Sequence, residues 1–448
     1  MTSQVSGIVF PPLRHQGKEA LRHALEQLER TQWWSPSRLR QAQFRQLEQL
    51  LTHAATHSAF YRQRLAGVLH QPLTPQSWQR IPLLGRADIQ ARGDQLRCTG
   101  VPADHGPHHE IKTSGSTGRP VTVLDTAIGP LWWSAITLRD HRWHGRDWSG
   151  TLAAIRWRSD RLAMAPDGLQ QPDWGAPASI FYKTGPGWLL NSVSDIQAQI
   201  QWLMRVDPHY LLTHPSNLRA LLDQLSQAGI RPGRLRQVRT VGEVVGDTLR
   251  QQTRSLLGVP LIDMYTCQEL GYMALQCPDG PHYHVQSEHV YLEVLKNDGT
   301  PCQQGETGQV VVTNLHNFAM PLIRYAIGDY ARVGGACACG RGLPVLEAIS
   351  GRSRNLLHRP DGSVAWPDLG FGEFSQVADI RQFQVVQHSI RDIELRLVSP
   401  QALSADQCGR IAGILARHLE GDFQIRISQL SHIPASAGGK YEDFLSLL

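Results

Sequence analysis

The chain reads as an α/β protein: a large N-terminal domain with a parallel-rich sheet covered by helices and extended by a β subdomain, then a small α+β domain. Three observations predict this. Between residues 150 and 260, short apolar runs alternate with helical segments: LAAIRW, Val193 to Met204, HYLLTHPS, Asn217 to Ala228, then VRTVGEVV. Strand and helix alternating in this way implies a largely parallel sheet with helices on its faces. From 284 to 333 the pattern becomes HVYLEVL, GQVVVTNL and LIRYAIGDYARV, alternating strands joined by polar turns such as NDGTPCQQGETG, which reads as predominantly β. The final stretch holds two strands, FQVVQ and DIELRLV, a helix begun by Ser404 and running to Leu419, a third strand FQIRIS, a Gly-containing loop and a short terminal helix, an α+β set. A boundary after Gly351 divides the chain into 1–351 and 352–448.

Composition narrows the function. The 448 residues are 41% apolar and 19% charged, without low-complexity tracts, and the length suits two or three domains. The net charge of +5, from 44 basic and 39 acidic residues, comes without a sustained basic run, which argues against a dedicated nucleic-acid binder and suits anionic small molecules. MTSQVSGIVF lacks a basic n-region and an adequate apolar h-region. No stretch approaches the roughly 18 apolar residues of a membrane span. The expectation is a cytoplasmic protein without a membrane partner. Seven cysteines scattered over the chain do not make a disulfide framework, leaving metal ligation or burial.

In chain order, residues 11 to 66 read as paired helices. Leu21, Ala24, Leu25 and Leu28 fall at helical spacing. Ser35 and Pro36 restart a helix with Phe44, Leu47, Leu51 and Ala54 on one face,. Short elements with Pro82 and Gly106 lead to IKTSGSTGRPVTV at 111–123. There Thr113, Ser114, Ser116 and Thr117 offer hydroxyls, Gly115 and Gly118 free the backbone amides from neighbouring Cβ atoms, and Arg119 adds charge. The stretch is either a phosphate-handling loop or a polar hairpin turn. It is not a Walker A loop, since the Lys-Ser/Thr ending is missing and Pro120, Val121 and Val123 predict a following strand. In the helical stretch Leu131 to Trp148, the residues Trp132, Trp133, His141 and Trp143 either pack into the core or line a pocket. Ligands of parallel sheets gather at the carboxyl ends of strands, where Thr240, Gly242, Glu243 and the segment Tyr265 to Glu269 fall.

In this order the loops resemble those of the adenylate-forming superfamily, in its phenylacetate-CoA ligase-like branch, over nearly the whole chain. TSGSTGRPVTV is similar to the phosphate loop, THPSNL (213–218) and TVGEVV (240–245) to mid-domain motifs, and MYTCQELG (264–271) to the segment that stacks adenine and holds magnesium. MPLIRYAIGDY (320–330) resembles the ribose motif, SGR (350–352) the start of the hinge, and SAGGKYEDF (436–444) the C-terminal lysine loop. The resemblance implies activation of a carboxylic acid, of aryl or aryl-acetic type, to an acyl-adenylate. Thr113 to Arg119 would hold the ATP phosphates, with Thr117 among the catalytic groups. Gly242, Glu243, Tyr265, Asp329 and Arg352 would take adenine and ribose, Glu269 would hold Mg2+, and Lys440 would meet the α-phosphoryl group. Trp132, Trp133, His141, His214 and Gly271 would line the acyl pocket. Coenzyme A is the implied acceptor. The family's Asp pair after the hinge Gly-Arg is replaced by Arg354 and Asn355, and Gln268 stands where Thr or Ser usually precedes the magnesium Glu, so an amine or a carrier-protein thiol stays open as acceptor. A homodimer also stays open. A catalytically silent binder of this fold is disfavoured by retention of Thr117, Glu269, Asp329 and Lys440, and a zinc-containing nucleic-acid module by the lack of a basic stripe.

Cys277, followed by His282 and His284, and the CACG run with Cys337 and Cys339 supply three thiolates and an imidazole, the donor set of a closed structural zinc site. The alternative is reduced, buried cysteines. The resemblance favours His284 over His282 as the fourth ligand. Cys267 has no identifiable His base and is read as buried or pocket-lining.

Overall fold

Ser35 starts a helix for the reason its sequence context suggests: its Oγ accepts the Arg38 amide at 3.3 Å, and Pro36 occupies the first helical position, where its missing N–H costs nothing. The computed structural model describes residues 3–14, 17–69, 71–113, 120–158, 160, 162–352, 355–365, 367, 369–374, 376–433 and 442–448. The paired helices are α1 (Gly17–Thr31) and α2 (Pro36–His57), followed by α3 (Ala59–Arg64), α4 (Pro75–Gln79) and α5 (Arg86–Leu96). A hairpin of β1 (His109–Lys112) and β2 (Thr122–Asp125) precedes α6 (Ile128–Trp143). The alternating region then forms β3 (Leu152–Arg156), β4 (Leu169–Gln171), α7 (Ala178–Phe181), β5 (Gly187–Asn191), α8 (Ile196–Val206), β6 (Tyr210–Thr213), α9 (Pro215–Ala228), β7 (Gln237–Val241), α10 (Asp247–Leu257) and β8 (Leu261–Cys267). The β-rich stretch supplies β9 (Gly271–Gln276), β10 (Tyr283–Val285), β11 (Val290–Leu295), β12 (Thr307–Asn314), β13 (Tyr325–Val333) and β14 (Val345–Arg352).

Among the described residues the strands β3 to β14 form one sheet of twelve, in the order β11-β12-β13-β14-β10-β9-β8-β7-β6-β3-β5-β4. Strands β5, β3, β6, β7 and β8 run parallel, with α8, α9 and α10 packed on one face around Leu203, Leu221, Leu222 and Leu249. The expected β subdomain has no sheet of its own. Strand β9 turns back antiparallel beside β8, with Met264 opposite Leu275, and the later strands extend the same sheet. No described helix is long and apolar enough to cross a membrane.

The chain divides into two compact units, Met1–Ile349 and Ser350–Leu448, two residues before the expected boundary. The second unit contains β15 (Leu357–His358), β16 (Val364–Ala365), α11 (Phe371–Phe374), β17 (Gln382–Gln387), β18 (Asp392–Val398), α12 (Ala405–Leu419), β19 (Gln424–Gln429) and β20 (Phe444–Ser446). Ser404 caps α12 in a capping box with Gln407,. The terminal segment is a strand rather than the expected helix. Phe444 and Ser446 are buried on either side of a half-exposed Leu445, a period of two, and the strand pairs in parallel with β17,.

Helix α6 is held by buried polar contacts as well as packing. Arg139 donates to Glu288 at 2.8 and 3.1 Å and to Gln286 at 2.9 Å, and it also bonds the Leu28 carbonyl. Beside it, Trp132 stacks on His316 with centroids 4.9 Å apart, and His289 lies 6.2 Å from both rings. His289 Nε2 donates to the Leu270 carbonyl and His316 Nε2 to the Phe10 carbonyl, while each Nδ1 is buried without a partner among the described residues. Burial pushes their pKa values down from 6.5, to about 4 for His289 and about 3 for His316,. The unfolded chain therefore binds protons first as pH falls. Their effect on stability is flat above about pH 6.5, where neither state is protonated, and stability is expected to drop as pH falls from 6.5 towards 4. Denaturant melts across that range should show the slope, and His316→Asn should reduce it.

Candidate active site and metal centre

Strand parity fixes which residues share a face. Gln237 and Arg239 on β7 bond residues of the α6 segment: Arg146 Nε donates to Gln237 Oε1 at 2.6 Å, and Arg239 Nη2 to Asp140 Oδ2 at 2.6 Å. Paired residues in a parallel sheet share a face, so Leu212 (opposite Arg239), Ala154 (opposite Leu212) and Met264 (opposite Val241) also face α6,. At the carboxyl ends of these strands Ala154, Leu212 and Val241 are only half-buried although they lie in the middle of the sheet. Trp133 on α6, 41% exposed, packs its ring 4.4 Å from Tyr272 at the start of β9. Gly271 has a positive φ of 76°, and a Cβ there would lie 3.1 Å from His289 Nε2, so only glycine is comfortable.

Nucleotide candidates cluster beside this opening. Tyr265, buried on β8, donates its hydroxyl to Asp329 Oδ2 on β13 at 2.8 Å. Glu269 lies in the β8–β9 turn, and its carboxylate is 3.8 Å from Arg86 Nη1. Arg86 Nη2 donates to Thr113 Oγ1 at 3.2 Å. Thr113 also exchanges two 2.9 Å bonds with Val121, its amide to the Val121 carbonyl and its Oγ1 from the Val121 amide, pinning both ends of the hydroxyl-rich loop. Ser114, Gly115, Ser116, Thr117, Gly118 and Arg119 lie outside the described residues, as does Lys440.

Arg86 is the residue that sequence reasoning missed. Its only local signal is its place after Gly85 at the start of α5; nothing in the sequence links it to Thr113 and Glu269.

Other expected residues have other surroundings. Gly242 follows β7 with φ of 87°, a left-handed turn,. The Glu243 carboxylate accepts the Ser216 amide at 2.8 Å and its hydroxyl at 3.0 Å, capping α9. His214 precedes α9, with Nδ1 2.9 Å from the Val241 carbonyl. Arg352 closes β14, and in the second unit its amide donates to Asn355 Oδ1 while Asn355 Nδ2 donates to the Phe444 carbonyl. Asn355, one of the two replacements at the hinge, therefore ties backbone to backbone; Arg354 lies outside the described residues.

Two pocket assignments need correction. Trp132 is fully buried in the stack with His316, and His141 is buried between Trp148 and Trp174, at 5.4 and 5.2 Å; neither is accessible to a ligand. Trp143 is buried too, donating to Gln32. Cys267, beside Glu269 and Asp329, has its thiol pushed well up by burial, which makes it a poor nucleophile.

Cys277, His284, Cys337 and Cys339 bring one donor atom each within 4.8 Å of one another. Cys277 Sγ is 3.8 Å from Cys337 Sγ, and Cys339 Sγ is 3.3 Å from His284 Nε2. Tetrahedral ligands at zinc bond lengths stand roughly 3.5–3.8 Å apart, so the donor set fits. His284 Nδ1 faces the Leu343 carbonyl at 3.4 Å, leaving Nε2 for a metal. His282 Nε2 is 3.0 Å from Cys337 Sγ, but His282 is not part of the four-donor group.

Solved structures match this architecture. The chain aligns with 2-hydroxyisobutyryl-CoA ligase in its postadenylation state in complex with R3-HIB-AMP, at a TM-score of 0.71 and 18% identity, over 93% of this chain and 91% of that one. The anthranilate CoA ligase AuaEII in complex with anthranoyl-AMP gives 0.55 at 17% identity, over 74% and 65%. The fold is that of the adenylate-forming ligases. By sequence the chain is 26% identical over 331 residues to a phenylacetate-coenzyme A ligase of Pseudomonas putida, 71% of this chain and 72% of that protein. It is 24% identical over 335 residues to one from Aromatoleum evansii, 72% of each. No protein-family model matches. Within the adenylate-forming fold the chain is phenylacetate-CoA ligase-like.

The two neighbouring tryptophans of α6 should respond differently to truncation. Trp132→Ala is expected to cost about 3–5 kcal/mol in chemical denaturation, as for other large core aromatics. Trp133→Ala should cost much less, its ring being part-exposed; equal losses would contradict the assigned rotation of α6.

Proposed function

We propose that this chain activates a carboxylic acid of aryl or aryl-acetic type with ATP and transfers the acyl group to the thiol of coenzyme A. The observation that carries the reading is the convergence of Thr113, Arg86, Glu269 and the Tyr265–Asp329 pair beside a half-buried apolar strip at the strand ends. In the first step a carboxylate oxygen bonds the α-phosphorus, the bond to the bridging oxygen breaks, and pyrophosphate leaves with the electron pair. In the second, a thiolate sulfur bonds the acyl carbon and AMP leaves.

Both steps demand positioning and charge neutralisation more than covalent help. Tyr265 holds Asp329 through its hydroxyl, Asp329 would accept from ribose hydroxyls, and the adenine role of Tyr265 comes from the family resemblance. Arg86 holds Thr113 at the base of the phosphate loop and balances Glu269. Glu269 supplies the hard oxygen that Mg2+ prefers, and the ion would neutralise phosphate charge. Thr117, with the rest of the loop, and Lys440 take their phosphate roles from the family resemblance. Cys277, His284, Cys337 and Cys339 would hold a structural zinc, four protein ligands leaving no open position. The free cysteines suit a reducing cytoplasm.

An ATP–pyrophosphate exchange panel of carboxylic acids, followed by mass spectrometry of products formed with coenzyme A, tests the reading. Aryl acids should support exchange and yield a thioester; turnover of aliphatic acids alone would contradict the substrate class. Lys440→Ala should abolish exchange while ATP affinity stays largely intact. Metal analysis of the purified protein should find about one zinc per chain, and a Cys337→Ser/Cys339→Ser variant should lose it.

A further inference from the structure

The strip at the strand ends is not uniformly apolar, and its far end is positively charged. Strand β3 alternates Leu152, Ala154 and Arg156 on the face towards α6, so Arg156 stands at the carboxyl end of β3 in line with Ala154 and Leu212. Its guanidinium is exposed and makes no ion pair or hydrogen bond among the described residues. Neighbouring Arg158, by contrast, is engaged with Asp160. Beneath the strip, Arg146 and Arg239 both donate to the one carboxylate of Asp140, each at 2.6 Å. All three are buried, and Arg239 Nε and Arg146 Nη2 have no partner among the described residues. His141 and His144 beside them do not offset the excess, since imidazoles carry no negative charge and burial first of all lowers their pKa values.

Two buried guanidiniums on one carboxylate, with Arg156 unpaired at the carboxyl end of β3 on the same face, leave this face of the sheet short of negative charge. Tyr272, buried on β9, lies within reach of the charges of both Arg239 and Arg156. Its hydroxyl accepts from Thr137 at 3.2 Å and donates to the Met264 sulfur at 3.7 Å, tying β9 to α6 and β8.

The activated carboxylate has to lie near Glu269, at the end of β8. Strand β3 is three strands away in the order β8-β7-β6-β3, roughly 14 Å at ordinary strand spacing, and the Arg156 side chain shortens that span. An aromatic ring lying on Ala154, Leu212 and Val241 with a substituent at each end bridges it.

We propose that the substrate is an aryl acid with a second carboxylate remote from the one activated, paired with Arg156 at the carboxyl end of β3 and drawn by the Arg146–Asp140–Arg239 cluster. A planar guanidinium pairs with a carboxylate in a bidentate fork, and the buried excess of positive charge favours a dianionic acid over a neutral-tailed one. The inference rests on the reading of the chain as a carboxylate-activating ligase.

Pyrophosphate exchange with 4-carboxyphenylacetate and with its neutral isostere 4-methylphenylacetate tests it. The ratio of kcat/KM values should favour the diacid by about tenfold or more, shrink as salt is raised, and collapse in Arg156→Met mainly through KM. Arg156→Lys should keep part of it, and Arg158→Met, a control on general surface charge, should leave the ratio as in wild type. A wild type that prefers the methyl compound or a 4-hydroxy analogue, or an Arg156→Met enzyme with an unchanged ratio, overturns the assignment of a second carboxylate while leaving carboxylate activation standing. Exchange with no acid at all overturns both.

Discussion

The Arg139–Glu288 pair decides which side chains the large unit turns towards the strand ends, because it fixes the rotation of α6. Both side chains are fully buried, and Arg139 reaches α1 through the Leu28 carbonyl and the β10–β11 turn through Gln286 and Glu288. Removing one partner of such a pair strands a buried charge, a loss on the order of 3–5 kcal/mol. With Arg139 held inward, the positions three and seven residues earlier, Ile136 and Trp132, face the same way and fill the core,. Trp133, Thr137 and Asp140 then lie on the other side, towards Tyr272 and Arg239. Which of Trp132 and Trp133 enters the core is settled by a salt bridge seven and six residues away.

This is also why the pocket was only half legible in the sequence. The elements were legible wherever one face is apolar and the other polar, as in α1 and α2, β18, or α12 with its Ser404 cap. In α6 aromatic and charged residues occur all round the helix, and Arg139, Asp140 and His141 are buried, so periodicity could not name the outward face. The β-rich segment was recognised as strands, but whether those strands formed their own sheet depended on β9 pairing with β8 through the turn that contains Glu269. Arg86 and Arg156 were invisible for a simpler reason. Arg86 bonds residues remote in sequence, the Arg156 guanidinium makes no ion pair or hydrogen bond among the described residues, and a lone arginine leaves no pattern.

The cysteine cluster was legible as a donor set, and the structure gives it a mechanical meaning. Strand β9 begins at Gly271 and Tyr272 beside the pocket and ends just before Cys277. Cys277 and His284 flank the turn into β10, whereas Cys337 and Cys339 come from the loop between β13 and β14. Four ligands from two segments, gathered on one ion, would clamp the β9–β10 hairpin to that loop and hold the register that puts Tyr272 under Trp133. The six residues of β9 span roughly 20 Å, so such an ion would bear on Tyr272 through a stiff strand and not by contact.

Charge burial beneath the pocket follows the same logic of remote support. A buried arginine pair sharing one aspartate is costly to assemble, since each ion loses hydration and the two cations repel. The Asp140 carboxylate stays ionised against burial only because Arg146 and Arg239 flank it, and burial lowers the Arg146 pKa to about 10. A fold needing only to cross α6 over β7 could do so with apolar side chains of similar volume at less cost. The same two guanidiniums would gain from any negative charge brought to this face at the strand ends, which is the gain that the proposed second carboxylate draws on.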